Sequence, residues 1–289
     1  MPSPPILPTR RSLLTLAGSA TLLPACSPLV ALNAISSSAG SRLAASDVAF
    51  GPDPRHRLDI YSPDASARQA PVMMFIYGGG WDNGSKSDYA FVGHAFASRG
   101  FVTVIADYRL VPQVRFPAFV DDGALAVKWV QDTIARYGGD GRTIHLSGHS
   151  AGAYNAMMLA LDGRFLARAG ARRGAIRSVS GLSGPYDFLP FEDRRTIAAF
   201  GDFPRPEETQ PIRFARRGTP RVFLGTGDQD RTVLPRNSYA LADRLKAAGV
   251  PTTLKTYPGV GHAGLVLAIA SGFRGNAPVL DDIVAFTGL

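Results

Sequence analysis

The chain of 289 residues contains very little cysteine and very little lysine. Cys26 is the single cysteine, which excludes an internal disulfide and a cysteine-rich metal site. Lysine occurs only at positions 86, 128, 246 and 255, so the formal net charge of +8 comes almost entirely from arginines spread singly or in pairs. No Lys/Arg-rich run with interleaved aromatic residues is present, which argues against a nucleic-acid partner. We interpret the positive charge as a solvated surface.

The chain also lacks a dinucleotide-binding glycine fingerprint after a predicted strand and any metal-ligand cluster, so no cofactor or metal is expected. What it has in quantity is turn-forming residues, with 31 glycines and 22 prolines, and a hydrophobic content of 45%. This composition is typical of a globular protein, and the length suits one large α/β domain or two small ones.

The first 25 residues have the pattern of an export signal. Arg10 and Arg11 precede an apolar run that ends near Leu23, and this run is shorter than the ~20 residues that a spanning helix needs. The paired arginines resemble a twin-arginine signal, and Leu23–Cys26 resembles a bacterial lipobox, in which the cysteine is lipidated. A plain cleaved signal with an incidental cysteine is the alternative. We expect a signal peptide over 1–25, a Ser/Ala-rich tether over 26–46 and a folded domain over 47–289, lipid-anchored through Cys26 in the periplasm or cell envelope.

Predicted strands and helices alternate after residue 47. Short apolar runs predict strands at 71–77, 101–106, 143–146, 221–225 and 252–257. Helical spacing predicts helices at 88–99, 118–136, 151–161 and 236–248. Such alternation is typical of an α/β fold with a mostly parallel central sheet and helices on both faces. The irregular segment 185–218 is either a cap over the sheet or a loop excursion.

A candidate nucleophile lies in Gly148-His149-Ser150-Ala151-Gly152, which matches G-x-S-x-G between a predicted strand and a predicted helix. A nucleophile on such a sharp turn needs very small neighbours, and the helix that follows directs its N-terminal N–H groups at the site. The motif predicts that Ser150 is the nucleophile of a serine hydrolase. A closely packed glycine turn is the structural alternative.

A second glycine motif, Tyr77-Gly78-Gly79-Gly80-Trp81, ends the first predicted strand. It resembles the HGGG and HGGxW loops of hormone-sensitive-lipase-like and formamidase-like esterases, although Tyr77 replaces their histidine. The segments 107–110 (DYRL) and 116–118 (FPA) extend this resemblance to the esterase-lipase branch of the α/β-hydrolases over most of the domain. The resemblance implies the α/β-hydrolase fold and an oxyanion hole formed by the N–H groups of Gly79, Gly80 and Ala151.

Five histidines compete for the role of general base. His56 precedes the predicted sheet, His94 lies in a predicted helix, His145 in a predicted strand, and His149 adjoins the serine. His262 lies in a glycine-flanked predicted loop after the last predicted strand. The order Ser…Asp…His along the chain of α/β-hydrolases requires a histidine there, so we predict His262 as the base.

The carboxylate partner lies in the loop after the strand at 221–225, where Asp228 and Asp230 compete. The family spacing of Gly, two residues, Asp, two residues and Val fits Gly227, Asp230 and Val233, which favours Asp230. We therefore predict a Ser150–His262–Asp230 triad that cleaves a small-molecule carboxylic ester through an acyl-enzyme. The alternatives are an arylformamidase-type amidase and a non-catalytic surface lipoprotein with the same fold.

Overall fold

The structure, a computed structural model, describes residues 32–33, 36–65 and 68–289. The predicted signal over 1–25 and Cys26 lie outside these described residues. Within them, eight strands form one sheet in the order β1-β2-β4-β3-β5-β6-β7-β8. Their bounds are β1 Ser41–Ala49, β2 Arg57–Pro63, β3 Ala70–Ile76, β4 Val102–Ala106, β5 Gly139–His149, β6 Ile176–Leu182, β7 Arg221–Gly227 and β8 Thr252–Tyr257. The β1–β2 and β2–β4 pairs are antiparallel and the other pairs are parallel, which confirms the predicted sheet.

In the same residues, eight α-helices accompany the sheet. Their bounds are α1 Ala90–Ala97, α2 Ala118–Thr133, α3 Ala151–Leu161, α4 Gly163–Arg168, α5 Arg194–Phe200, α6 Arg236–Ala247, α7 His262–Leu267 and α8 Val279–Thr287. The four predicted helices correspond to α1, α2, α3 and α6. The first two are flanked by the 3-10 turns Lys86–Tyr89 and Ile134–Tyr137. No helix of the described chain is long and apolar enough to cross a membrane.

The central strands are buried because helices cover the sheet. Every residue of β4 is buried, and so are the five residues of β3 from Val72 to Ile76. Parallel strands covered on both faces have such continuous apolar sequences, which is why simple apolar runs predicted them correctly.

The folded part of the chain begins earlier than predicted. β1 begins at Ser41, within the segment assigned to the tether (26–46), and it places His56 between two strands rather than before the sheet. The sequence of β1, SRLAASDVA, has no apolar run, because this edge strand is largely exposed. Upstream of β1, Asn33 is already hydrogen-bonded to the folded domain. Its side chain donates to the Ser87 carbonyl at 2.7 Å and accepts from the Phe91 N–H at 3.0 Å.

Candidate active site

Ser150 occupies a strained turn between β5 and α3. Its φ of 55° and ψ of −124° are rarely adopted by a residue with a side chain. The flanking glycines permit this turn, because a Cβ on Gly148 would lie 2.4 Å from the Gly152 carbonyl oxygen. A Cβ on Gly152 would lie 2.0 Å from the carbonyl oxygen of Ile76. The strain and the close contacts hold the hydroxyl at the amino end of α3.

The structure brings Ser150 together with the predicted histidine and aspartate. His262 Nε2 lies 2.9 Å from Ser150 Oγ, and His262 Nδ1 lies 2.9 Å from Asp230 Oδ2. The second oxygen of the fully buried Asp230 carboxylate accepts from the backbone N–H groups of Thr232 and Val233, both at 2.9 Å. Burial raises the pKa of Asp230, but the hydrogen bonds that the carboxylate accepts, foremost the one from His262, outweigh it and lower the pKa below its ordinary value. The carboxylate therefore remains charged beside the imidazole.

The structure corrects the predicted position of His262 and distinguishes Asp230 from Asp228. His262 is the first residue of the short helix α7 rather than a loop residue. Its glycine-rich surroundings suggested a loop, but Gly261 has extended backbone and serves as the N-cap. Asp228 is exposed, and its Oδ1 accepts from the Gly259 N–H at 2.7 Å, so it stabilises a turn away from His262.

The three predicted oxyanion-hole residues line the same cavity as Ser150. Gly79 has a φ of 124°, and its carbonyl accepts from the N–H groups of Asp82 and Asn83 at 3.3 and 3.1 Å. A Cβ on Gly79 would lie 2.1 Å from the Asn83 carbonyl oxygen, so this turn requires glycine. Donation of N–H groups from Gly79, Gly80 and Ala151 to a substrate stays a prediction.

Tyr77, which replaces the family histidine, anchors this loop through its phenol. Its hydroxyl donates to Asp107 Oδ1 at 2.8 Å and accepts from Arg55 Nη2 at 2.9 Å. The Tyr108 hydroxyl donates to the Tyr77 carbonyl at 3.0 Å, and the two rings stack at 4.8 Å. Burial raises the pKa of Tyr77 far above its ordinary range, which keeps the hydroxyl protonated. Sequence reasoning missed these contacts, although Asp107 and Tyr108 belong to the DYRL segment.

Segment 185–218, called the cap segment below, covers the site. Its residues between 185 and 196 line, together with Ser150 and His262, a cavity of about 770 Å³. Within the cap segment, Phe200 packs edge-on against Trp81 of the glycine loop with ring centroids 4.8 Å apart. Arg195 forms an ion pair with Asp82 of the same loop at 3.1 Å. The cap interpretation of this segment therefore holds.

Known proteins resemble the chain in sequence and in fold. Residues 58–245 match the BD-FAE family model. A probable isoprenylcysteine alpha-carbonyl methylesterase of Oryza sativa is 32% identical over 82% of this chain and 61% of its own length. Esterase LipC of Mycobacterium tuberculosis is 30% identical over 74% of this chain and 58% of its own length, so the chain spans about three fifths of these relatives.

Solved structures extend the likeness at lower identity. A phosphonate-inhibited esterase B of Lactobacillus rhamnosis superimposes with a TM-score of 0.78 at 20% identity, over 90% of this chain and 89% of that one. A thermostable esterase of Pseudomonas putida gives a TM-score of 0.72 at 23% identity, over 90% of this chain and 86% of that one. The chain therefore belongs to the BD-FAE family, within the esterase-lipase branch of the α/β-hydrolases.

Proposed function

We propose that this protein is a carboxylic ester hydrolase in which Ser150 is the nucleophile, His262 the general base and Asp230 the carboxylate that orients it. The observation that carries the proposal is the continuous pair of 2.9 Å contacts from Ser150 to His262 and from His262 to Asp230. Such contacts are what a serine hydroxyl needs to become a nucleophile at neutral pH. The esterase and methylesterase names of the relatives support an ester rather than an amide substrate.

Acylation begins when Ser150 Oγ attacks the ester carbonyl carbon and passes its proton to His262 Nε2. Negative charge then develops on the carbonyl oxygen, where the N–H groups of Gly79, Gly80 and Ala151 stabilise it. The carbon–oxygen bond to the alcohol breaks as His262 returns the proton to the leaving oxygen, which leaves an acyl group on Ser150. Water repeats the sequence and releases the acid.

Asp230 supports both half-reactions through its charge. His262 is a cation in each tetrahedral intermediate, and the buried carboxylate at 2.9 Å stabilises it in surroundings of low polarity. The hydrogen bond to Nδ1 also holds the imidazole in the tautomer that presents a bare Nε2 to Ser150.

The cavity suits a small-molecule ester with apolar parts. Its volume of about 770 Å³ lies in the range of small-molecule sites, roughly 300–1,000 Å³. Phe188 and Leu189 of the cap segment and Val233 and Leu234 of the loop before α6 supply apolar lining.

The triad is tested with Ser150→Ala. We expect kcat on p-nitrophenyl acetate and butyrate to fall about 10⁴-fold or more, because only the oxyanion hole and substrate binding remain. The matched control is Ser147→Ala on the same strand, since the buried Ser147 hydroxyl has no hydrogen-bond partner in the described chain. Substantial ester turnover by a folded Ser150→Ala protein would exclude the proposed nucleophile. Formanilides are assayed in parallel. A wild type that hydrolyses formanilides but no esters would favour an amidase instead.

We also propose that the protein is exported and anchored through a lipid on Cys26. The lipobox-like Leu23–Cys26 supports this. Seven positions later, Asn33 is hydrogen-bonded to the folded domain. Seven residues reach at most about 25 Å, so a lipid would hold the enzyme close to the membrane. Mass spectrometry of the exported protein should find a diacylglycerol-modified Cys26 as the first residue. An unmodified N-terminus elsewhere would rule out the anchor.

A further inference from the structure

His149 precedes Ser150 in the strained turn between β5 and α3, called the elbow below, and it contacts the proposed general base directly. His149 is the last residue of β5 and is 5% exposed. Its Nε2 lies 3.0 Å from the backbone carbonyl oxygen of His262, and the two rings are 4.7 Å apart at an angle of 45°. The contact joins the elbow to the amino end of α7, across 113 positions of sequence.

The hydrogen bond determines the tautomer of His149. A carbonyl oxygen only accepts hydrogen bonds, so His149 Nε2 must carry the proton and donate a hydrogen bond to the His262 carbonyl oxygen. Nδ1 is buried without a hydrogen-bond partner among the described residues, so no other group there competes for the proton. The ring can therefore act only as a neutral donor.

The charge state agrees with this tautomer. Burial, and then the neighbouring His262, lower the pKa of His149 to about 3, and the opposing effects of the bonded carbonyl and Asp230 are smaller. The ring therefore stays neutral above about pH 4. A neutral ring beside His262 adds no repulsion when His262 becomes a cation during the reaction, whereas a lysine or arginine at this position would.

We propose that His149 is a positioning residue for the general base: its Nε2–H holds the His262 backbone so that the His262 ring stays between Ser150 and Asp230. This inference rests on the proposed function, since it assigns to His149 a role through His262. The role is separate from that of Asp230, which orients the ring through Nδ1, because His149 acts on the main chain. A displacement of about 1 Å in a reacting group can reduce a rate about 100-fold.

Two amide substitutions distinguish this role from simple packing. The amide nitrogen of glutamine can occupy the place of Nε2, whereas that of asparagine corresponds to Nδ1, which makes no hydrogen bond here. We expect His149→Asn and His149→Phe to lower kcat on p-nitrophenyl butyrate by about 10- to 100-fold, with KM changed less than threefold. His149→Gln should restore kcat to within about fivefold of the wild type. The rate at which an aryl phosphonate inactivates Ser150 should fall in the same order, because that reaction also depends on a correctly placed His262.

His145 provides the matched control. It lies on the same strand, is equally buried, and bonds through Nδ1 to Ser178 Oγ at 2.8 Å, away from Ser150, Asp230 and His262. His145→Asn and His145→Gln should change thermal stability without changing kcat. A folded His149→Asn protein that keeps kcat within twofold of the wild type would overturn the proposal, and so would a His149→Gln variant no faster than His149→Asn.

A spectroscopic measurement on the wild type covers the case in which the variants fail to fold. Nitrogen NMR of ¹⁵N-histidine-labelled protein should show His149 as the neutral Nε2–H tautomer from pH 8 to pH 5, whereas an Nδ1–H tautomer or a charged ring would overturn the proposal. This result does not depend on turnover. Failure of the proposed function would instead appear as a wild type with no ester hydrolysis and the expected tautomer.

Discussion

Asp228 and Asp230 show how strongly the surroundings decide the role of a residue. Both follow β7, yet one is exposed and bonds to a turn, while the other is buried beside His262. Only the buried carboxylate can stabilise an imidazolium at close range, because water screens the charge of the exposed one.

Charge removal at each aspartate should therefore have different effects. We expect Asp230→Asn to lower kcat on the order of 10⁴-fold, because the imidazole loses both its preferred tautomer and the charge that stabilises its cation. Asp228→Asn should lower kcat less than tenfold. Steady-state kinetics of both variants on one aryl acetate is the measurement, and the reverse order would place the acid two residues earlier.

Sequence reasoning identified the three residues of the proposed triad but not the residues that hold them in place. Ser150, Asp230 and His262 are recognisable because a short motif, a fixed spacing and a chain order each point to one position. The contacts of His149 with His262 and of Tyr77 with Asp107 follow no local pattern, since they join residues brought together only by the fold. Residues that position the proposed triad and the glycine loop through such contacts are therefore recognisable only once the fold is known.

At the level of elements, strands with continuous apolar runs were predictable, whereas β2 and β6, which are buried but interrupted by polar residues, were missed. β3, β4 and β7 contain apolar runs, whereas β6 has the sequence IRSVSGL with buried serines. Ser178 of β6 is acceptable in the core because it bonds to His145 of β5. The sequence does not decide between a cap and a loop excursion for 185–218 for a similar reason. Its helix α5 is short, and its packing depends on aromatic residues from other elements.

Phe200 of α5 tests whether the cap shapes the site. It is 1% exposed and packs against Trp81 and Tyr154, with centroids 4.8 and 5.2 Å apart. Phe200→Ala should lower the free energy of unfolding by about 3–5 kcal/mol and raise KM severalfold, because the cavity wall loosens. Phe223→Ala in β7 is the control, since this buried ring packs against Phe286, whereas Phe200 packs against Trp81, which lines the cavity. Urea unfolding and Michaelis kinetics measure both effects, and equal KM values in the two variants would contradict the role of the cap.

At the scale of the whole molecule, buried neutral histidines make stability depend on pH. Burial is the main reason that the pKa of His145 is lowered to about 4 and that of His149 to about 3, from an ordinary 6.5. Between the lowered pKa of each histidine in the folded chain and its ordinary value of 6.5, the unfolded chain binds protons that the folded chain does not. Stability is therefore greatest above pH 6.5 and declines as the pH falls towards 4.

The decline can be assigned to single residues. Each buried histidine contributes a loss of about 1.4 kcal/mol per pH unit in this window. In His145→Gln the slope of unfolding free energy against pH should become shallower by about that amount. Urea titrations of both proteins at pH 7, 6 and 5 measure the slopes, and parallel slopes would show that His145 is charged or accessible in the folded state.

The position of the cap segment within the chain has a consequence for how this protein can diversify. Residues 185–218 form one continuous stretch between β6 and β7, whereas Ser150, Asp230, His262 and the glycine loop all lie outside it. A large part of the cavity wall is thus encoded apart from the proposed reactive groups, although Val233 and Leu234, in the loop of Asp230, also line the cavity. If the proposed function is right, exchange of this one stretch between homologues should shift substrate preference while the reactive groups remain in place, so that selection can alter what the protein accepts without rebuilding how it reacts.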